Sequence, residues 1–292
     1  MKILVLGVDG MIGHKIYQSL SSEKFDIIAT SKKESNKLPI DFSKAKFIQY
    51  NFNGNNINEL INLHNPDIII NCIGATTRRF GSIDVKEIFK TNSHLPLKLS
   101  QWAKKNQKWL IHFSTDCVFS GLKGNYKEES VKDADDLYGI SKSKGEEIEL
   151  SNSLIIRCSM IGREIFNNTE LLEWFISRNN ANADGYTKAI YSGVTTLWMS
   201  TLIKKLIIKN IKLNGLYNIS SSAITKFELL SMIKAVFKLN IEIFENGKLK
   251  SNKSLNSEKF KNDTGIIIPS WNEMLKDLYT DAIQNKNIYL KK

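Results

Sequence analysis

Cysteine is scarce in this chain: three in 292 residues, at positions 72, 117 and 158. They lack metal-ligand spacing and one would be left over from any pair, so a reducing cytoplasm fits best. Histidine is almost as rare, and His14, His64, His94 and His112 show no ligand spacing, so no metal site is expected. No stretch approaches the roughly 20 apolar residues of a membrane span. The first apolar run is broken at once by Gly7, Asp9 and Gly10, which is not the pattern of a secretory signal. Internal repeats, low-complexity linkers and heptads are absent as well. The net charge of +11 comes from lysines spread along the whole length, in doublets such as Lys32-Lys33 and Lys104-Lys105. Without a basic run interleaved with aromatics, nucleic-acid binding is not expected. The charge suits attraction for a polyanionic small molecule and suits an AT-rich genome equally well.

What is present starts at residue 4. Leu4 to His14 reads Leu-Val-Leu-Gly-Val-Asp-Gly-Met-Ile-Gly-His: an apolar strand pattern opening into glycines at 7, 10 and 13. Ile12, Ile16 and Leu20 then give helical spacing. A glycine turn between strand and helix lets backbone approach a pyrophosphate, which rests on the N–H groups and positive dipole end of the helix. The first gap is one residue longer than in the standard dinucleotide fingerprint.

The first 160 residues alternate strands with amphipathic helices, the mark of a parallel sheet. Strands are predicted at 2–6, 25–30, 46–51, 67–72, 108–114 and 153–158. Helices are predicted near 12–21, 57–63, 84–105 (kinked around Pro96) and 136–150. Beyond 160 the pattern predicts helices at 169–178, 194–209, 225–238 and 271–285, short strands near 216–219 and 241–244, and a loop from Gly185 to Gly193. The whole reads as an α/β, doubly wound parallel sheet of Rossmann type over 1–160, to which 194–219 returns. A smaller, mostly helical substrate domain of 161–193 and 220–292 completes it.

The second strand ends Thr30-Ser31-Lys32-Lys33, without the acid that usually holds an unphosphorylated ribose. Ser31, Lys32 and Lys33 could receive a 2′-phosphate, which favours NADP(H) over NAD(H). On this ground and on what the family resemblance given below implies, the expected cofactor cradle is Gly7, Asp9, Gly10, Met11, Ile12, Gly13, Ser31, Lys32, Lys33, Asn51, Phe52, Cys72, Ile73, Gly74, Asn92, Tyr138 and Lys142. Tyr138 and Lys142 sit four apart at the start of a predicted helix and share a face. Thr115 lies at the carboxyl end of a predicted strand, where open α/β sheets place their ligands.

Three motifs, in order, carry a resemblance: Gly7-x-x-Gly10-x-x-Gly13, Ser114-Thr115-Asp116-x-Val118-Phe119-x-Gly121, and Tyr138-Gly-x-Ser141-Lys142-x-x-Gly145-Glu146. With them the chain resembles the extended short-chain dehydrogenase/reductases, and among those the dTDP-4-dehydrorhamnose reductase group of nucleotide-sugar reductases. The resemblance spans essentially the whole chain. It implies that Asn92 helps fix the lysine through water, and that Asp116 either orients substrate hydroxyls or caps the following loop. It implies a nucleotide-sugar partner, and leaves a homodimer open. Two departures bear on the sugar. Cys117 stands where those enzymes usually carry tyrosine, and Arg157-Cys158-Ser159-Met160-Ile161-Gly162 lacks their covering tryptophan. UDP-linked 2-acetamido-2,6-dideoxy-4-keto sugars are therefore candidates beside dTDP-4-dehydrorhamnose.

Reducing a ketone needs a hydride on carbon and a proton on oxygen. On this reading Tyr138 is the general acid, with a free pKa of about 10, Lys142 favours its phenolate and holds ribose, and Thr115 polarises the carbonyl. Thr115, Asp116, Cys117, Arg163 and Lys188 are the expected substrate contacts, and Arg78 and Arg79 could attract phosphate. Trp174, Trp198 and Trp271 read as packing residues. The competing readings are an epimerase or dehydratase of the same superfamily, and a regulatory subunit similar to the beta subunit of methionine adenosyltransferase. Cys117 replaces the glutamate that dehydratases place after Thr-Asp, which argues against elimination.

Overall fold

Every residue of β1 (Lys2–Leu6) after Lys2 is fully buried, so both faces of this strand are covered. The computed structural model describes residues 1–52, 56–76 and 84–289; Arg78 and Arg79 lie outside them. After β1 come α1 (Gly13–Ser21), β2 (Asp26–Ser31), β3 (Ala45–Gln49), α2 (Ile57–His64) and β4 (Ile68–Asn71). There follow α3 (Val85–Phe89), α4 (Leu95–Lys105), β5 (Trp109–Ser114), α5 (Leu137–Gly145) and β6 (Ser153–Arg157). The remainder is β7 (Met160–Ile161), α6 (Leu171–Ile176), β8 (Asn182–Tyr186), β9 (Ala189–Tyr191), β10 (Val194–Thr195), α7 (Thr196–Ile208) and β11 (Gly215–Asn218). Last are β12 (Ile224–Thr225), α8 (Lys226–Phe237), β13 (Glu242–Asn246), β14 (Ser251–Asn252), α9 (Glu258–Thr264), α10 (Trp271–Gln284) and α11 (Lys286–Tyr289).

A seven-stranded sheet runs β11-β6-β5-β4-β1-β2-β3. The registers from β3 through β6 are all parallel. The strand order reverses between β1 and β4, which is where a doubly wound sheet opens its ligand crevice. Leu4 and Leu6 of β1 pack with Ile28, Ile69 and Leu110 under Leu60 and Ile61 of α2 and Leu95, Leu99 and Trp102 of α4. Ile3 and Val5 alternate to the opposite face. The expected doubly wound sheet is what forms.

The chain divides into two compact units. One is Met1–Val118 with Ala134–Arg157 and Met199–Leu216; the other is Phe119–Asp133 with Cys158–Trp198 and Tyr217–Lys292. The second unit is richer in strands than its sequence suggests. The Gly185–Gly193 loop expectation is overturned: β8 pairs with β13 in parallel, β9 pairs with β12 and β14, and β10 pairs with β7. Polar residues disguise β8, yet Ala183 and Gly185 alternate inward, and a Cβ on Gly185 would lie 2.6 Å from the Phe227 ring. Its helices α8 and α10 both begin with full capping boxes, Thr225/Glu228 and Ser270/Glu273. Trp271 is buried as expected, whereas Trp174 and Trp198 are only half-buried.

The helix predicted over 84–105 is also corrected. A π-helical turn, Lys90–His94, separates α3 from α4. Pro96 has no N–H for the carbonyl four residues back, and its ring crowds that carbonyl, so the distortion falls one turn before the proline. The helix predicted to 150 stops at Gly145. Among the described residues, no helix is long and apolar enough to cross a membrane, and no group of three or more His, Cys, Asp or Glu residues could hold a metal ion.

Candidate active site

The glycine turn is built by its own backbone. Gly7 takes φ +83°, a left-handed conformation that side chains disfavour, and its N–H and that of Val8 both donate to Thr30 O. A Cβ on Gly13 would lie 2.0 Å from Gly7 O, so α1 can sit this close to the turn only with glycine there. Gly10 differs: a Cβ there would meet Gly7 O at 3.4 Å, an ordinary contact. Among the described residues no atom crowds that position, so it has room for a ligand's close approach. The first turn of α1 has no side-chain cap, so its N–H groups suit an anion.

The other wall of this cradle comes from the end of β4. The Ile73 side chain and the Cys72 backbone lie 3.0 and 3.4 Å from where a Gly7 Cβ would stand. Ile73 N donates to Asn71 Oδ1. Gly7, Asp9, Gly10, Met11, Ile12, Gly13, Cys72, Ile73 and Gly74 thus share the switch point between β1 and β4. Burial pushes the Cys72 thiol well up, so it stays protonated. Lys32 and Lys33 are exposed beyond β2, while Ser31 is buried with its Oγ accepting from Lys33 N. Asn51 is exposed. The Phe52 ring stands in the hydrophobic core with Leu4 and Ile57, so only its backbone can serve a ligand.

Thr115 follows β5 directly, and the first turn of α5 is packed against the residues after it. A Cβ on Gly139 would lie 2.2 Å from Cys117 O. Asp136 caps α5 by accepting from Gly139 N. That close packing sets the first turn of α5, which carries Tyr138, against the residues that follow Thr115. Thr115 Oγ1 accepts from Cys117 N (3.1 Å) and donates to Asp116 Oδ1 (3.2 Å), and both Thr115 and Asp116 are buried. Asp116 here holds the Thr115 hydroxyl and also accepts from Cys117 Sγ at 3.7 Å.

Lys142 is 4% exposed and donates from Nζ to Phe113 O at 2.6 Å. Burial lowers its pKa to about 8, against an opposing pull from the Glu146 carboxylate. Asn92 sits in the π-helical turn and is fully engaged. It accepts from Ala75 N and donates to Ala75 O and Ser141 Oγ, so its side chain ties the end of β4 to α5. Ser93 Oγ donates to Ser141 O. The turn also lets α5 come close, since a Cβ on Gly145 would lie 2.0 Å from Asn92 O.

Sequence reasoning assigned no role to two groups near this lysine. Glu146 accepts from Ser114 Oγ at 2.6 Å and from Arg157 Nε and Nη2 at 3.0 and 2.7 Å, all deeply buried. An arginine ending the apolar strand Ser-Leu-Ile-Ile-Arg signals a buried partner. His112, on β5, accepts at Nδ1 from Asn71 Nδ2, since Ile73 N fixes which way that amide points. Burial and the Lys142 charge hold its pKa far below the ordinary value, so the ring is neutral.

Arg163 and Lys188 belong to the second unit. Arg163 pairs with Glu173 and lies over the Tyr289 ring at 4.6 Å, so its charge already has a partner within that unit. Lys188 is exposed in the turn between β8 and β9.

The chain as a whole has known counterparts. Residues 1–184 match the family described as the RmlD substrate binding domain. The chain belongs to this family. A member from Aggregatibacter actinomycetemcomitans, named dTDP-4-dehydrorhamnose reductase, is 23% identical over 95% of this chain and 98% of its own length. Methionine adenosyltransferase 2 subunit beta from Bos taurus is 23% identical over 82% of this chain and 72% of its own length. The solved dTDP-4-dehydrorhamnose reductase of Bacillus anthracis, in complex with NADP, shares the fold. It gives a TM-score of 0.78 at 19% identity, covering 96% of this chain and 98% of that one. The resemblance read from the three motifs is borne out at the level of the family.

Proposed function

We propose that this protein is an NADPH-dependent oxidoreductase that reduces the 4-keto group of a nucleotide-activated 6-deoxy sugar. Such a cytoplasmic enzyme would supply a deoxysugar for bacterial surface polysaccharide. What supports the reading is the buried Lys142 bonded to Phe113 O of β5, Thr115 just after that strand and Tyr138 one turn before Lys142 on α5, together with a glycine turn that has room at Gly10.

The cradle residues Gly7 to Gly13 and Cys72 to Gly74 would hold the dinucleotide, with Lys32 and Lys33 available to a 2′-phosphate. The dinucleotide, when bound there, would supply the hydride that a carbonyl carbon needs. Tyr138 gives the proton that turns the carbonyl oxygen into a hydroxyl. Lys142, charged below about pH 8, favours the phenolate left behind and makes that proton easier to release. Thr115 donates to the same oxygen once its hydroxyl turns from Asp116. Asp116, released from Thr115, can accept from a sugar hydroxyl.

Incubation with NADPH and a panel of dTDP-, UDP- and GDP-linked 4-keto sugars tests the reading through loss of NADPH absorbance. One sugar hydroxyl formed for each NADPH consumed is the expected result. The likeness to the methionine adenosyltransferase beta subunit favours a second reading, a regulatory NADP-binding subunit. Cofactor binding without consumption on any sugar of the panel would select it.

A further inference from the structure

Tyr138, Lys142 and Glu146 are spaced four apart on α5 and its end, so they form one stripe. Lys142 and Glu146 are 4% and 8% exposed, and Arg157 is 1% exposed. A buried ion pair such as Glu146–Arg157 gains little net stability over apolar packing of the same size. The sheet and α5 already have apolar neighbours to pack with, so the pair invites another use. The Lys142 ammonium is buried, and it donates to a neutral carbonyl, Phe113 O. A charge in that position needs an anion nearby.

We propose that Glu146 is a positioning residue for the reaction read above: clamped by Ser114 and Arg157, its carboxylate keeps Lys142 an ammonium within the Tyr138 stripe. The inference rests on that reading for its catalytic consequence and on geometry for the rest. Ser114 Oγ and two guanidinium nitrogens fix the carboxylate, so its charge stays at a set position along α5. The other charged groups around Lys142 do not substitute for it. His112 on β5 is neutral, and Arg157 on β6 is a cation. Asp116 is engaged with Thr115, and Lys90 pairs with Glu87 toward solvent. Lys104 of α4 pairs with Glu149, and His94 is exposed. The lowering of the Lys142 pKa by burial is opposed by Glu146 alone among these groups.

The test is direct titration of Lys142 by NMR in protein labelled with carbon-13 at the lysine Cε, its resonance assigned by loss in Lys142→Met. This needs neither cofactor nor substrate. Glu146→Gln keeps one oxygen to accept from Ser114 Oγ and Arg157 Nε, and removes the charge together with the acceptor of Arg157 Nη2. Its Lys142 midpoint should fall by about one pH unit or more. Should Glu146→Gln fail to fold, Glu146→Gln/Arg157→Met removes both charges together, and its midpoint should still lie below that of the parent. An unmoved midpoint in the variant that folds would overturn the inference, whatever the activity. The basic limb of the pH profile for sugar reduction should move down with the midpoint, which a purely structural role would not produce. A lowered midpoint in a protein that reduces no 4-keto nucleotide sugar would instead overturn the reductase reading, while upholding Glu146's hold on Lys142.

Discussion

Tyr138 is the residue whose loss should be most specific. Tyr138→Phe keeps the ring and its packing and removes only the proton donor, so kcat should fall by about 100-fold or more while NADPH still binds. Steady-state kinetics beside a cofactor titration separates the two effects; near-normal reduction would place the acid elsewhere. Thr115→Val should slow the reaction less, since the acid stays in place, although it also strips Cys117 N of its acceptor. The pH dependence follows from Lys142. Its folded pKa is lowered to about 8, so the ammonium is present below that pH and lost above it. The profile of kcat/KM should therefore bend down on the basic side near that value, and Lys142→Met should be slow throughout and bind cofactor more weakly. At this scale the sequence was most informative about the residues proposed to act and least about those packed behind them. Thr115, Tyr138 and Lys142 stand in spaced motifs. Glu146 and Arg157 are eleven residues apart on different elements, and only folding shows them sharing one buried pair.

Among the elements, the glycine turn makes the sharpest distinction between stability and binding. Gly13→Ala drives a methyl group to 2.0 Å from a backbone oxygen, which no side-chain movement relieves. It should lose about 1–3 kcal/mol of stability, read as a lower Tm. Gly10→Ala meets its nearest atom at 3.4 Å and carries no positive φ. Its stability should change by less than about 1 kcal/mol, while its affinity for NADPH should drop because the methyl stands where the pyrophosphate must approach. If both variants lost stability and binding in parallel, the turn would be structural only. Strands β1, β2, β4, β5 and β6 were legible because their apolar runs are buried on both faces. Strands β9 and β10 were not, being three and two residues long, and neither was β8, because Asn182-Ala-Asp-Gly-Tyr carries its alternation in small and polar residues. Its pairing with β13, 60 residues later, is a tertiary choice. The break at Lys90–His94 was half legible: Pro96 announced it, but the carbonyl it disturbs lies a turn earlier.

At the scale of the whole molecule, a net charge of +11 is a statement about association. A nucleotide sugar and NADPH are both polyanions, so the protein's field should raise their encounter rate at low salt. Screening shortens the reach of that field to about 10 Å at 0.1 M ionic strength. In the proposed mechanism the chemical step depends instead on the buried Lys142, which salt reaches poorly. Raising ionic strength should therefore increase KM for the nucleotide sugar and leave kcat almost unchanged. Replacing Lys32 and Lys33 with alanine supplies the local control. If they meet the 2′-phosphate, KM for NADPH should rise more than KM for NADH, by a margin that exceeds the loss of two charges from a general field. Equal rises for the two cofactors would show that the lysines act only through the molecule's overall charge. No rise at all would show them facing solvent alone. The comparison separates a site built for NADPH from a basic protein that attracts any anion.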